Sequence, residues 1–304
     1  MSRPILVGLA LRDDDAAPLA LARRFAKLSG APLALASVLE LDSITPVATV
    51  DYVRAMQGGT RTAVDEVAAG LPAEFSATSH LAQGSRPGGL HALAEQLEAI
   101  AIVVGSSHRG RVGHVLAGDV AAGLLHGAPC PVLVAPRGYA DRPIGRVGVA
   151  FAGTDEGRGA AAAAFSLARR TGASVELLSV IEPSVYTGAH VVPGWVPSTA
   201  VDFEALDRHA RDAAEQAIAE LADGVAATAT VAHGAVVPTL TEASERFDLL
   251  VCGSRGYGAV HSALAGGVSR GLAHASACPL LLVPRRTAAD AAALWQGAAA
   301  VGSP

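Results

Sequence analysis

The sequence predicts an α/β protein built from two consecutive domains that share one plan. Three observations support this class. The 304 residues are enough for two domains of ordinary size. The second part of the chain repeats the first. Short apolar runs alternate with longer segments of helical periodicity, which is typical of parallel sheets covered by helices on both faces.

The internal repeat is clearest towards the end of each copy. When residues 105–137 are shifted by 148 positions, about half of them meet an identical residue, and the endings CPVLVAPR and CPLLLVPR coincide. Nearer the start of each copy, ILVGLAL meets VGVAFAG with a shift of 142. We therefore expect domains at 1–138 and 145–286, joined by the polar linker GYADRPIG, and a loosely attached tail at 287–304.

Each copy is predicted to contain five strands with helices between them. Two helices, APLALARRFAKLSG and GAAAAAFSLARRTG, end at Gly30 and Gly172, which are typical C-terminal stops. The apolar runs place the strands near 5–11, 33–39, 75–81, 100–105 and 131–135, and near 147–152, 174–181, 226–232, 248–253 and 279–283.

The fifth strands, PVLVAP and PLLLVP, are short, apolar and equivalent. Exposed edges of that kind need covering, so we expect the two strands to pair antiparallel. The two copies would then form an intramolecular pseudo-dimer. The sequence leaves open whether two chains assemble further into a homodimer.

Charge and composition exclude several classes of partner. The net charge of −5 gives no attraction for nucleic acid or for an anionic membrane surface. No apolar run is long enough to span a bilayer, and the N-terminus lacks the pattern of a signal peptide, so a cytoplasmic protein is expected. The three cysteines form no CxxC pair and the histidines show no metal-ligand spacing, so no metal is inferred.

The segment GSRGYGAVHSALAGG, residues 253–267, carries the main functional signal. It follows the apolar run LLVC and precedes a predicted helix. Glycine lets an anion approach the backbone N–H groups, and the N-terminus of the helix adds a positive partial charge. In an open parallel sheet this loop lies where the strand order reverses, which is the usual place for a nucleotide.

With this glycine spacing, the repeat and the CPxLxxPR endings, both copies resemble the universal stress protein family. The resemblance implies two tandem Rossmann-like domains, each a five-stranded parallel sheet of order 3-2-1-4-5 flanked by helices. ATP-binding members use G-x2-G-x9-G-(S/T) for the phosphates and an aspartate at the end of the first strand for the nucleoside. They also use the backbone of a valine that ends the second strand for the adenine.

The second copy matches this pattern in part. Val180 stands at the second-strand position, but Ala152 replaces the first-strand aspartate and Gly267 replaces the hydroxyl residue. Asp155 follows shortly after Ala152 on what is predicted to be a loop. The resemblance implies ATP as the candidate ligand of the second domain, held by Ala152, Val180, Gly253, Ser254, Arg255, Gly256, Gly266, Gly267 and Val268.

The first copy departs further from the pattern. His108 replaces the middle glycine, Asp119 replaces the hydroxyl residue and Ala10 replaces the first-strand aspartate, with Asp13 to Asp15 close behind it. Asp119 would cap the following helix and place a negative charge where a phosphate would bind. The first domain is therefore expected to bind no nucleotide.

Three functions remain open on the sequence alone. The leading hypothesis is a stress-response binding or regulatory module without enzymatic activity, which binds ATP weakly in its second domain. The alternative is an interaction protein with degenerate sites in both domains that binds an unknown protein partner and no nucleotide. The third is a slow ATPase, for which no metal-binding carboxylate is evident.

Overall fold

The computed structural model describes residues 2–12, 15–40, 49–106, 119–124, 127–182, 202–254, 267–285 and 295. In these parts of the chain, ten strands join in one sheet. They are β1 (Ile5–Gly8), β2 (Leu33–Leu39), β3 (Thr78–Gln83), β4 (Ala101–Gly105), β5 (Val132–Ala135), β6 (Arg146–Ala150), β7 (Ser174–Ile181), β8 (Ala227–His233), β9 (Leu249–Ser254) and β10 (Leu280–Pro284).

The sheet order is β3-β2-β1-β4-β5-β10-β9-β6-β7-β8. Each half is therefore a parallel sheet of order 3-2-1-4-5, and the predicted fold class is confirmed. The halves meet where β5 and β10 pair antiparallel, with Leu281 opposite Leu133 at the centre of the register. The predicted pairing of the two fifth strands is observed, so each half covers the apolar edge of the other.

Eight α-helices are described beside the sheet. They are α1 (Ala16–Ser29), α2 (Val50–Ala69), α3 (Arg86–Gln96), α4 (Asp119–Leu124), α5 (Asp155–Thr171), α6 (Phe203–Leu221), α7 (Val236–Ser244) and α8 (Gly267–Ala275). Helices α1 and α5 end at Gly30 and Gly172, both in the left-handed conformation, as their sequences predict. Because α5 has 17 residues and α1 has 14, α5 begins about one turn earlier relative to this shared end.

Apolar side chains fill both faces of the sheet across the two halves. One core packs α1, α2, α5 and α6 against the sheet and includes Phe25 and Phe165. The other packs α3, α4, α7 and α8 and includes Leu240 and Leu272. The inner strands β1, β4, β5 and β10 are buried on both faces, which explains why their sequences are nearly continuous apolar runs.

The third strand and the tail differ from the sequence expectations. The third strand was expected at 75–81, but residues Ala73–Phe75 form one turn of 3-10 helix and the strand starts at Thr78. Phe75 is buried, so its contribution to the apolar pattern comes from the turn rather than the strand. The tail was expected to be loosely attached, yet Trp295 is only 1% exposed, because its ring packs beside Phe25 in the core.

Candidate functional site

A cavity of about 280 Å³ opens in the second half at the carboxyl ends of β6, β7 and β9. Strand β6 lies between β9 and β7, so this is the point at which the strand order reverses. Ligands of open α/β sheets bind at such points. The described residues that line the cavity are Ala150, Phe151, Ala152, Thr154, Glu156, Gly157, Leu178, Val180, Val236, Leu240, Cys252, Gly253, Gly267, Val268 and Ser269.

One wall of the cavity is apolar. Leu178 and Val180 come from the end of β7, and Val236 and Leu240 come from α7, whose apolar face packs on the sheet. Val180, which the family resemblance assigns to contact with adenine, thus lies in the cavity wall. Such a wall suits a flat heterocycle, because small-molecule sites are mostly apolar with a few polar groups.

The loop after β6 brings Ala152 into the cavity lining. A methyl group therefore stands at the position where the resemblance implies an aspartate. Gly153 turns the chain with a φ of 68°, and the Thr154 hydroxyl then caps α5 by accepting a hydrogen bond from the Gly157 N–H at 3.2 Å. Asp155 was expected on a loop, but it is the first residue of α5 because the cap at Thr154 starts the helix early. Its side chain is exposed.

Glu156 is a cavity residue that the sequence did not single out. Its side chain is 12% exposed and lines the cavity, and its Oε1 lies 3.5 Å from Nε of Arg285. The sequence TDEG, in which a capping threonine precedes two acidic residues, is the signal for this helix start. That signal locates the first turn of α5, but it does not show that Glu156 faces the cavity.

Gly253 follows the buried part of β9, and its neighbours explain why it is glycine. A Cβ at this position would lie 2.5 Å from the carbonyl oxygen of Glu156. The Ser269 hydroxyl also donates to the Gly253 carbonyl at 3.2 Å, joining α8 to the end of β9. The close packing of α5 thus explains why this residue is glycine, whereas the sequence pattern assigned it to phosphate binding. Ser254 follows as the last residue of β9, opposite Pro284.

Gly267 and Val268 begin α8 at the mouth of the cavity. A Cβ on Gly267 would meet no atom of the described residues within 4 Å, so these residues leave its backbone open to approach. The other loop residues predicted to bind nucleotide, Arg255, Gly256 and Gly266, lie outside the described residues. The structure therefore brings Ala152, Val180, Gly253, Gly267 and Val268 together around one cavity.

Cys252 lines the cavity from β9, and burial raises the pKa of its thiol to about 11. Its sulfur lies 3.7 Å from the hydroxyl oxygen of Ser269. A thiol with this pKa stays protonated at neutral pH, so it behaves as a small apolar side chain and a poor nucleophile.

The corresponding loop of the first half is closed by Asp15. Its carboxylate accepts hydrogen bonds from the N–H groups of Ala10 at 2.9 Å and Arg12 at 3.2 Å. Asp15 therefore stabilises its own loop, because each of its two carboxylate oxygens accepts one of these backbone hydrogen bonds. Asp119 is the first residue of α4, whereas His108 lies outside the described residues.

Within the described ranges, no group of three or more His, Cys, Asp or Glu residues could hold a metal ion. The same ranges contain no helix that is both long and apolar enough to cross a bilayer.

The family model described as "Universal stress protein family" matches residues 1–136 and 143–284. A universal stress protein of Mycobacterium tuberculosis is 31% identical over 193 residues, which are 61% of this chain and 62% of that protein. One from Mycobacterium bovis is 45% identical over 60 residues, and the chain spans only 20% of that relative's length.

Solved structures share the fold. A universal stress protein from Archaeoglobus fulgidus aligns with a TM-score of 0.70 at 18% identity, over 94% of this chain and 99% of that one. A protein from Pseudomonas aeruginosa described as a putative universal stress protein aligns with a TM-score of 0.61 at 16% identity, over 97% of this chain and 98% of that one.

Proposed function

The chain belongs to the universal stress protein family, and from this premise we propose that it is a stress-response binding module whose second half binds an adenine nucleotide weakly. The observation that carries the proposal is the cavity at the reversal of strand order, with an apolar wall on one side and the start of α8 on the other. The two domains are proposed to span residues 1–138 and 145–286.

In this proposal the adenine packs against Leu178 and Val180, and the phosphates approach the backbone N–H groups of Gly267 and Val268. The open surroundings of Gly267 and the N-terminus of the nine-residue helix α8 support that assignment. Ser254, Arg255, Gly256 and Gly266 remain part of the proposed phosphate loop on the strength of the sequence spacing. Gly253 contributes mainly by letting α5 approach β9.

Weak affinity follows from two features of the cavity. Ala152 offers no polar group to a ribose, so the nucleoside lacks the anchor that the family pattern implies. The volume of about 280 Å³ is also at the lower edge of the roughly 300–1,000 Å³ of typical small-molecule sites. A site with few polar contacts to the nucleoside discriminates poorly among nucleotides.

The test is isothermal titration of ATP into the wild type, Gly267→Asp and Gly267→Asn. Since no atom of the described residues lies within 4 Å of a Cβ at this position, we expect both variants to fold. Aspartate adds a negative charge beside the phosphates, whereas asparagine adds the same shape without charge. We expect Gly267→Asp to abolish binding and Gly267→Asn to retain most of it.

Equal affinity in the wild type and Gly267→Asp would refute the assignment of the phosphates to α8. Mass spectrometry of the denatured protein for co-purified nucleotide is an independent check. A complex with ATP bound in the first half would also contradict the proposal.

A second candidate function is protein binding without nucleotide. Two observations favour it: Ala152 replaces an aspartate, and the charged residue among those described in the cavity lining is the acid Glu156. Strands β3 and β8 end the sheet and provide edges at which a partner or a second chain could pair. This second function would be favoured if titration of ATP produced no heat of binding. It would also require a defined partner protein that binds the wild type but not variants mutated at these edges.

Catalysis by ATP hydrolysis is the least supported of the three functions. A slow ATPase needs a residue that positions water and ligands for a metal ion. The described lining of the cavity offers one carboxylate, that of Glu156, which lies 3.5 Å from Arg285. We therefore propose a role that depends on a binding equilibrium.

A further inference from the structure

We propose that Ala150 and Thr239 hold α7 away from the sheet, and that this spacing opens the ligand cavity of the second half. Glycines stand at the equivalent positions of the first half, Gly8 and Gly89. Because it concerns which half takes an adenine nucleotide, this inference rests on the proposed function. It names the residues that make the two halves differ.

The turns that lead into α3 and α7 are equivalent in the two halves. In each turn a glycine N–H donates at 3.0 Å to the carbonyl of the last residue of the neighbouring strand, from Gly84 after β3 and from Gly234 after β8. Each helix begins two residues after its glycine. The fifth residue after each glycine therefore occupies the same place, and it is Gly89 in α3 and Thr239 in α7.

The register of the sheet gives the second equivalence. Gly8 is the last residue of β1 and pairs with Ala36 of β2. Ala150 is the last residue of β6 and pairs with Leu178 of β7. Both residues thus end the first strand of their half, beside the helix that follows the third strand.

In the first half, α3 lies directly on the sheet at these two places. A Cβ on Gly89 would be 2.7 Å from Cγ1 of Val38 in β2. A Cβ on Gly8 would be 2.9 Å from Cδ1 of Leu90 in α3. Non-bonded carbon atoms pack at about 3.5–4.0 Å, so α3 can lie this close only because both residues are glycine.

In the second half, the same two contacts would be too short. Thr239 has a β-branched side chain and Ala150 a methyl group where the first half has only hydrogen. Since a close-packed interior cannot take extra carbon atoms without a shift, α7 lies further from β6 and β7 than α3 does from β1 and β2. Val180 and Leu240, which correspond to the two side chains that close these contacts in the first half, line the cavity instead.

Thr239 acts through the position of α7. It is absent from the described lining of the cavity, whereas Val236 and Leu240 of the same helix belong to it. Its Oγ1 lies 2.9 Å from the position that a Cβ on Gly234 would take, and Gly234 has a φ of 141° that favours glycine. The turn before α7 therefore accommodates the threonine side chain, and Thr239 is a positioning residue.

The experiment is titration of ATP into the wild type, Thr239→Val, Thr239→Gly and the double variant Ala150→Gly/Thr239→Gly, with crystal structures of the wild type and the double variant. The double variant has the glycines of the first half, so α7 should approach the sheet and the cavity should shrink. Its affinity for ATP should fall about tenfold or more, because a small-molecule site must enclose most of its ligand. Thr239→Gly should show a smaller loss.

Two controls separate spacing from other effects of these changes. Thr239→Val keeps the branched shape and loses the hydroxyl, so it should bind ATP as the wild type does. Glu242→Gly places a glycine at an exposed position of α7 that does not line the cavity. It weakens the helix in a similar way without removing a spacer, so its affinity for ATP should equal that of the wild type.

Equal affinity for ATP in the wild type and both glycine variants of Thr239 would overturn the inference and leave the proposed function standing. A cavity of unchanged volume in the crystal structure of the double variant would overturn it as well. If the wild type binds no ATP, the proposed function itself fails, and the two crystal structures still decide whether Ala150 and Thr239 hold α7 away from the sheet.

Discussion

The carbonyl oxygen of Glu156 lies 2.5 Å from the position that a Cβ on Gly253 would take. This contact joins the first turn of α5 to the end of β9 and forms one side of the cavity. Backbone cannot move aside as the end of a flexible side chain can. The glycine is therefore required by the fold before any ligand is considered.

Gly253→Ala should destabilise the protein by about 1–3 kcal/mol, since the added methyl group overlaps the α5 backbone. Gly267→Ala is the matched control, because a Cβ there meets no atom within 4 Å in the part of the chain that the structure describes. We expect it to change the free energy of unfolding by less than about 0.5 kcal/mol. Urea unfolding of both variants measures the difference, and equal stabilities would contradict the packing described for Gly253.

Gly148 and Phe247 form a second tight pair, in which the aromatic ring occupies the place of the missing Cβ. Gly148→Ala should cost about 1–3 kcal/mol in the wild-type background and much less together with Phe247→Leu. The first half carries Leu6 and Ala99 at the aligned positions, with the large and small residues exchanged. A double-mutant cycle with no coupling energy would show that the ring does not limit position 148.

Trp295 links the tail to both halves of the chain. Its ring centroid lies 5.1 Å from that of Phe25 in α1, and its carbonyl accepts a hydrogen bond of 2.6 Å from Nη1 of Arg170 in α5. Trp295→Ala should lower the free energy of unfolding by about 3–5 kcal/mol. Its indole N–H finds no acceptor in the described part of the chain, so Trp295→Phe should cost distinctly less.

The control for this prediction is Tyr52→Ala, since Tyr52 is 54% exposed on α2. It should leave stability within about 0.5 kcal/mol of the wild type. Thermal unfolding of the three variants gives the comparison. A Trp295→Ala protein as stable as Tyr52→Ala would mean that the tail contributes nothing to the core.

The buried thiols make stability depend on alkaline pH. Burial raises the pKa of Cys252 to about 11 and those of Cys130 and Cys278 to about 12, all above the 9.0 of a thiol in the unfolded chain. Their contribution to stability is therefore complete below about pH 9 and is lost as the pH rises towards 11 or 12. Each thiol should steepen the loss by roughly 1.4 kcal/mol per pH unit.

Urea unfolding between pH 8 and 10.5 tests this dependence, with Cys252→Ala and Cys278→Ala as comparisons. Replacing a thiol lowers stability at every pH, but it should also make the alkaline decline shallower. A decline of the same steepness in the wild type and both variants would show that other groups control it.

The local sequence pattern predicted strands and helices correctly where a run of buried residues belongs to a single strand or helix. The apolar runs of β5 and β10 are buried on both faces, so their sequences identify them, and the glycines after α1 and α5 mark helix ends that need a left-handed residue. The third strand was misplaced at its start because Phe75 is buried in a 3-10 turn. Periodicity reports burial and cannot tell such a turn from the beginning of a strand.

The sequence by itself determined that two copies of one α/β plan follow each other, that apolar fifth strands need covering, and that a glycine-rich segment links a strand to a helix at the carboxyl edge of the sheet. Only the tertiary structure decided that Gly253 is needed for α5, that Glu156 faces the cavity, and that Trp295 packs against the first half. Repeats and runs are local, and they record which residues are buried. Contacts between residues about a hundred or more positions apart depend instead on how the folded helices and strands pack against one another. No local sequence pattern encodes that packing.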